Sequence, residues 1–183
     1  VLFVVRADSP LKYIHELRDR RLSIGPVQSD GAHTVRAIYR HLFGTDMKES
    51  ERLDNDTALA ELVAFRSIDA MAIIEPSPAA WWASLDPGTA RRLRLLTLDP
   101  RHPADRRLLQ AAGTSVARVG TGTPKGTPAT TPTVMSFLVA SGEGDADVER
   151  LTAMAKALCH ELPQLRERGH PKWRELQPAS KLD

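Results

Sequence analysis

The sequence lacks the features that mark disulfide-stabilised, membrane-spanning and nucleic-acid-binding proteins. Its single cysteine, Cys159, can form neither an internal disulfide nor a multi-cysteine zinc site. No stretch reaches about 18 consecutive apolar residues, the length that a membrane-spanning helix needs, and the amino terminus has no basic leader of an export signal. The formal net charge is only +2, with basic residues interspersed among acidic ones, so we expect no surface for nucleic acid in this segment.

What the sequence does contain is the composition and the patterning of a globular α/β domain. Of its 183 residues, 42% are apolar and 26% are charged, which is typical of chains that bury a core. Short apolar runs typical of strands alternate with segments whose apolar residues repeat at helical spacing. This alternation predicts a doubly wound, mainly parallel sheet. Strands are predicted at 1–7, from Leu22, and at 68–74, 92–99 and 133–141.

Helices are predicted in the segments between these strands. The first begins at Ser9 and Pro10 and has Leu11, Ile14 and Leu17 at helical spacing. Further helices are predicted to end at Gly44, to include apolar residues between 59 and 65, to follow the prolines of EPSPAAWWASL, and to lie within 100–113 and 145–169, the last interrupted at Pro163. Residues 119–132 are rich in Gly, Pro and Thr, so they are predicted to form a linker.

A cluster of small polar residues lies where the strand from Leu22 stops and the next helix starts. The candidate ligand-binding residues in this turn are Gln28, Ser29, Gly31, His33 and Thr34. The first N–H groups of a helix have no internal acceptor and carry partial positive charge, so the N–H groups of Gly31 to Thr34 could cradle a carboxylate or phosphate. The same residues also fit an ordinary N-terminal cap within a glycine-containing turn.

Glu75 is a further candidate ligand-binding residue, because it directly follows the predicted strand IDAMAII. Sheets of this kind bind ligands beyond the carboxyl ends of their strands. In this sequence, that rule selects the loops 26–34, 75–78 and 99–102. Glu75 could meet the ammonium group of a ligand, or it could cap a helix that starts at Pro76.

Side chains suited to catalysis or metal binding are not grouped in the sequence. Cys159 and His160 are neighbours on a predicted helix, so their side chains diverge, and Cys159 is expected to be a small buried residue. His33, His102 and His170 have no Asp or Glu at the spacing of metal ligands. The sequence also has no glycine-rich phosphate-binding motif. We therefore expect no enzyme activity, no metal and no cofactor.

Three segments resemble sequence motifs of one protein family. The segment LRDRRLSIGPVQSDGAHT is similar to the family motif LkGKrvslGppGSGT, and FRSIDAMAII is similar to dGkiDAffi. The third segment begins TPTVMSFLVAS and, with its helical tail, resembles a closing pTv…Lva strand followed by helices that end in hP…L. On these segments, which span nearly all of the chain, it resembles the TAXI family of TRAP-transporter solute-binding proteins.

The resemblance implies one lobe of a type II periplasmic-binding-protein fold, with C-terminal helices. Such a protein is an extracytoplasmic bacterial receptor that closes two lobes over a small organic anion or amino acid, such as glutamate, and delivers it to membrane transporter subunits. It implies a hinge strand at 1–7, an α/β ligand-binding lobe at 8–118, the linker at 119–132, and a return hinge strand with helices at 133–183. Most of the first lobe of the family is missing from this sequence, so the hinge strands could pair in a homodimer.

Two departures from the family pattern concern the ligand. Asp30 introduces a negative charge that repels an anion, and it either caps the helix or pairs with a ligand ammonium group. The segment GTPKGTP lacks the tyrosine that the family has there. An alternative function is the ligand-sensing domain of a LysR-type transcriptional regulator or of a membrane sensor, because these share the fold. A third is an interaction module that pairs through exposed strand edges.

Overall fold

The computed structural model describes residues 1–48, 50–74, 80–111, 114–120, 128–135, 142 and 144–176. The chain divides into two compact units. The first, called the sheet unit below, comprises Val1–Glu75 and Ala79–Met135 and contains the described strands. The second, called the helical unit, comprises Pro76–Pro78 and Ser136–Asp183 and contains one long helix.

The sheet unit is built on a four-stranded sheet. Its strands are β1 (Leu2–Arg6), β2 (Leu22–Ser23), β3 (Ala70–Ile73) and β4 (Leu93–Leu95), and their order is β2–β3–β1–β4. Two further strands, β5 (Thr114–Val119) and β6 (Ala129–Val134), form an antiparallel hairpin. The predicted strand at 92–99 is thus an edge strand, and its burial alternates along Leu93, Arg94 and Leu95, as its alternating sequence predicts.

The direction of β1 contradicts the prediction of a mainly parallel sheet. β2 and β3 are parallel, but β1 runs antiparallel to both β3 and β4, with Phe3 opposite Ala72 and Val5 opposite Arg94. A parallel continuation would need a crossover helix to carry the chain back along the sheet. The predicted first helix is in fact a single short 3-10 helix, Ile14–Leu17. The chain therefore enters β2 from the end of the sheet at which β1 finishes.

The core lies on both faces of the sheet. Successive side chains of a strand point to opposite faces, so Phe3 and Val5 pack in one apolar cluster and Leu2 and Val4 in another. The first cluster includes Ile14, Leu17, Val35, Ile38, Leu42 and Leu108, and the second includes Ala58, Leu62, Trp82 and Ala129. Helical segments cover both faces, and the predicted α/β class is confirmed.

Five α-helices are described in the sheet unit: α1 (Asp30–Phe43), α2 (Asn55–Ala60), α3 (Ala80–Ser84), α4 (Pro87–Arg91) and α5 (Pro103–Gln110). As predicted, α1 ends at Gly44, which has a φ of 70° and donates its N–H to the carbonyl of Arg40 at 2.8 Å. A π-helical turn, Glu61–Phe65, continues α2. This turn departs from the 3.6-residue period, and Phe65, the last residue of the apolar segment predicted at 59–65, is 71% exposed.

The predicted linker at 119–132 is in part a strand. Residues 129–132 of the predicted linker belong to β6, where Ala129 and Thr131 are buried. Threonine favours strands, and Pro132 lies opposite Val116 in β5, where it accepts but cannot donate a backbone hydrogen bond. The return strand predicted at 133–141 ends at Val134 within the described residues, and 136–141 lie outside them.

The helical unit contains α6 (Asp145–Arg168) and a 3-10 helix, Pro171–Glu175. Pro163 lies inside α6, so the prediction that it interrupts the helix is wrong, although a proline there removes one helical hydrogen bond. Cys159 is exposed, so the prediction that it is buried is wrong. Leu162 alone is buried among the described side chains of α6. No helix within the described ranges is long and apolar enough to cross a membrane.

Candidate functional site

The candidate turn connects the carboxyl end of β2 to the start of α1. Gly25 and Gln28 both adopt the left-handed backbone region, with φ of 93° and 62°. Ser29 returns to an extended conformation as the N-cap of α1, and its N–H donates to the carbonyl of Pro26 at 3.2 Å. Glycine adopts the left-handed region at no steric cost, and Gln28 occupies it within a closed turn. The small residues of this segment therefore set the direction in which α1 starts.

Two of the N–H groups predicted to cradle a ligand already bind the protein. The N–H of Ala32 donates to Ser29 Oγ at 3.1 Å, and the N–H of His33 donates to the carbonyl of Ser29 at 3.2 Å. A serine cap and the first helical turn satisfy these two groups, so the prediction that the N–H groups of Ala32 and His33 help to form the cradle is wrong. Among the described residues, the N–H groups of Asp30 and Gly31 have no acceptor.

The structure brings five of the six predicted site residues together. Gln28 and His33 are exposed, while Ser29, Gly31 and Thr34 are partly buried. Glu75 lies outside the described residues.

The start of α1 lies beside the end of β3. A Cβ atom at Gly31 would lie 3.8 Å from Cγ1 of Ile74, the residue that follows β3. Because β2 and β3 are parallel, their carboxyl ends meet at one edge of the sheet, and the candidate turn lies at that edge.

The candidate turn combines the positive end of the α1 dipole with the negative charge of Asp30. Asp30 is exposed in the first turn of α1, and Ser29 rather than Asp30 is the cap. The carboxylate of Asp30 makes no hydrogen bond or ion pair with another described residue. It stabilises the positive end of the helix dipole, and it also repels an anion that approaches the same N–H groups.

Comparisons with known proteins identify no family for the chain. No family model matches it, and no curated protein matches it. The resemblance to TAXI proteins therefore depends on the three sequence segments quoted above.

The structure also contains a cleft of about 250 Å³ that is distinct from the candidate turn. It is lined in part by Arg20, Arg21, Tyr39, Lys48 and Glu51. The two arginines precede β2, whereas the candidate turn follows it. The lining also carries charges of both signs, which favours no ligand class.

A buried ionisable cluster around Asp105 is not evident from the sequence. The side chain of Asp105 is fully buried, and its Oδ2 lies 2.9 Å from Nδ1 of His15. These two residues are 90 positions apart, so no spacing rule links them. One local signal was present, since a histidine, a proline and an acidic residue at 102, 103 and 105 are typical of a helix start. Within the described part of the chain, no three His, Cys, Asp or Glu side chains are placed to hold a metal ion.

Proposed function

We propose that this chain is one lobe of an extracytoplasmic solute-binding protein of the TAXI type, with the type II periplasmic-binding-protein fold. Its ligand is an amino acid such as glutamate, and its partners are membrane transporter subunits. The observation that carries the proposal is the start of α1, where the N–H groups of Asp30 and Gly31 have no acceptor among the described residues, at the joint carboxyl end of β2 and β3. Two such N–H groups suit a carboxylate.

Asp30 supports an amino acid over a simple carboxylate. Because Ser29 caps the helix, the carboxylate of Asp30 is not needed for capping. A ligand with only negative charge is repelled there, whereas an α-amino acid offers a carboxylate to the N–H groups and an ammonium group to Asp30. The proposal therefore assigns opposite ends of one zwitterion to neighbouring groups of the turn.

The position of β1 supports the two-lobe architecture. The backbone nitrogen of Val1, in the first predicted hinge strand, donates at 2.7 Å to the carbonyl of Pro132, the residue before the second predicted hinge strand. Leu2 pairs with Ile73, so β1 begins at the edge where the candidate turn lies. A strand that crosses from the other lobe beside the ligand would have to enter the sheet at this edge. Both edges of β1 are hydrogen-bonded within the sheet, which disfavours a homodimer through this strand.

A receptor of this kind works by closure of two lobes around the ligand, which stabilises the closed state through contacts with both. The described groups of this lobe supply only part of those contacts. We therefore expect the 183-residue chain to bind weakly, with affinity in the millimolar range, and to show little thermal shift with glutamate.

The test is an NMR titration of the ¹⁵N-labelled chain with glutamate at constant pH. The amide resonances of Asp30 and Gly31 are expected to shift first. Ser29→Asp keeps a capping carboxylate but adds a negative charge, so it is expected to abolish these shifts without unfolding the chain. The matched control is Asp54→Ser at the cap of α2, where Asp54 accepts from the N–H of Thr57. It is expected to leave the shifts unchanged.

The titration would contradict the proposal if the Asp30 and Gly31 resonances stayed fixed, or if the shifts clustered at the cleft of Arg20 and Lys48. Micromolar affinity of the lone chain would overturn the closure mechanism, because the pocket would then be complete in one lobe.

The ligand class has its own test. Glutarate lacks the ammonium group of glutamate, so it is expected to bind more weakly than glutamate. Asp30→Asn removes the charge that distinguishes them and is expected to bring the two affinities together. An unchanged preference in Asp30→Asn would show that Asp30 does not recognise the ammonium group.

A further inference from the structure

A column of three rings joins the 3-10 helix at Ile14–Leu17 to the start of α5. The ring of His15 stacks on that of His102, with centroids 3.6 Å apart and planes 10° from parallel. On its other side, His15 stacks on Tyr13 with centroids 5.3 Å apart. The side chain of His15 is only 14% exposed. The two histidines therefore lie in contact at a largely buried position of the sheet unit.

The hydrogen bonds indicate that Nδ1 carries a hydrogen in His15 but not in His102. Oδ2 of Asp105 accepts from the N–H of Asp99 at 2.7 Å and lies 2.9 Å from Nδ1 of His15, so Nδ1 of His15 is a donor. His102 is the N-cap of α5, and its Nδ1 accepts from the N–H of Ala104 at 3.3 Å. Nδ1 of His102 therefore carries no hydrogen while the cap is intact.

The buried carboxylate of Asp105 requires a compensating cation. Its second oxygen, Oδ1, is buried and has no hydrogen-bond partner among the described residues. An isolated buried carboxylate is unfavourable, and a proton on both ring nitrogens of His15 would neutralise it at hydrogen-bond distance. One positive charge is thus accommodated in the stack.

A second positive charge is not accommodated there. If His102 is protonated, its Nδ1 carries a hydrogen and no longer accepts from the N–H of Ala104. A second imidazolium would also lie 3.6 Å from that of His15, and like charges at this distance repel strongly away from bulk water. We propose that His15 and His102 form an acid-sensitive clasp, in which protonation of His102 uncaps α5 and separates it from the 3-10 helix.

The charged groups on the elements around the clasp include one acidic side chain that favours a positive charge on His15. Glu16, on the 3-10 helix, accepts from the backbone N–H groups of Lys12 and Tyr13 at 2.5 and 2.7 Å. Burial acts to raise the pKa of Glu16, but these two hydrogen bonds, together with the charges of His15 and Lys12, lower it overall.

The loop before α5 carries one acidic and one basic residue. The side chain of Asp99 accepts from the N–H of Arg101 at 2.9 Å. Arg106, on α5, donates to the carbonyl of Arg101 at 3.2 Å. Both arginines are exposed to solvent, which screens their charge.

The experiment compares thermal unfolding of the whole chain between about pH 7.5 and about pH 5.5, the range in which histidine side chains commonly titrate. His102→Ser replaces the titratable cap with a serine cap, and His102→Asn is the second variant if the first is poorly folded. Over this pH range we expect the melting temperature of the wild type to fall by about 2–4 °C more than that of the variant. In the wild type, the amide resonance of Ala104 is expected to move over the same range.

His160→Gln is the matched control, because the side chain of His160 is 84% exposed in the helical unit. It is expected to keep the full acid response of the wild type. An equal fall in the wild type and His102→Ser would overturn the proposal, as would an Ala104 resonance that does not respond to acid. A response lost equally in His160→Gln would do the same, because histidine content alone would then explain it.

Discussion

The sheet unit and the helical unit contain similar apolar patterns but bury them very differently. In β1, Leu2, Phe3, Val4 and Val5 are all at most 3% exposed, because helices cover both faces of the sheet. In α6, 24 residues long, Leu162 is the single buried side chain among those described. The apolar spacing of α6 predicted a helix correctly, but it did not predict what covers the helix. The spacing of apolar residues thus predicts a helix, whereas the burial of those residues depends on another element that packs against it.

The largest expected difference between the units comes from the same truncation at two leucines. Leu42 in α1 is 2% exposed in the core, so Leu42→Ala is expected to lower the free energy of unfolding by about 2–5 kcal/mol. Leu158 in α6 is partly exposed, and Leu158→Ala is expected to lower it by less than about 1 kcal/mol. Urea unfolding followed by circular dichroism measures both. Equal losses would mean that the apolar face of α6 is covered as well as the core is.

A smaller difference in the effect of substitution is expected between the glycines that follow α1 and α6. Gly44 after α1 has a φ of 70° and nothing within 4 Å of an added Cβ, so only backbone strain opposes a side chain there. Gly44→Ala is therefore expected to cost about 1 kcal/mol, and Gly44→Asn less, because asparagine tolerates the left-handed region better. Urea unfolding of the two variants measures this ranking.

Gly169 after α6 is constrained by space rather than by φ. Its φ of −83° suits any residue, but a Cβ would lie 2.5 Å from the carbonyl oxygen of Leu165 and 2.9 Å from Cδ1 of Trp173. Gly169→Ala is expected to displace the 3-10 helix at Pro171–Glu175, which a shift of the Trp173 indole resonance would report. An unchanged resonance would contradict the close approach at this position.

Local features of the sheet unit could be predicted from the sequence, because each is encoded within a few residues. The apolar face and the glycine end of α1 are examples, and so is the small polar turn before it. Which N–H groups of that turn bind the protein itself, and which have no acceptor among the described residues, could not be predicted. It depends on whether the Ser29 hydroxyl points back to Ala32, which the residue types allow but do not require.

Features that depend on distant parts of the chain could not be predicted. β1 is buried on both faces, so its apolar run is the same whether it is parallel or antiparallel to its neighbours. The contact between His15 and Asp105 joins two separate elements. In the helical unit, the exposure of Cys159 likewise follows from the surroundings of α6 rather than from its sequence.

The smallest expected difference between the units concerns surface charge. In the sheet unit, Arg21 Nη2 lies 2.9 Å from Asp69 Oδ1, and the backbone N–H of Arg21 donates to Asp69 Oδ2 at 3.0 Å. The side-chain hydrogen bond from Arg21 lowers the pKa of Asp69 against the opposing effect of burial, and the backbone N–H of Arg21 lowers it further. The stabilisation is therefore present above the pKa of aspartate in the unfolded chain, about 3.9. It is lost as the pH falls through the lower pKa of the folded state.

We expect Asp69→Asn to lower the urea midpoint slightly at neutral pH, and the difference from the wild type to vanish in acid. The effect is small because Arg21 is 57% exposed and solvent screens the pair. Glu167→Gln in the helical unit is the control. Its partner Arg168 lies 4.0 Å away and both side chains are mostly exposed, so no acid-dependent difference is expected. A difference at Asp69→Asn that persisted in acid would mean that the backbone hydrogen bond to Arg21, and not the ion pair, stabilises this connection between β2 and β3.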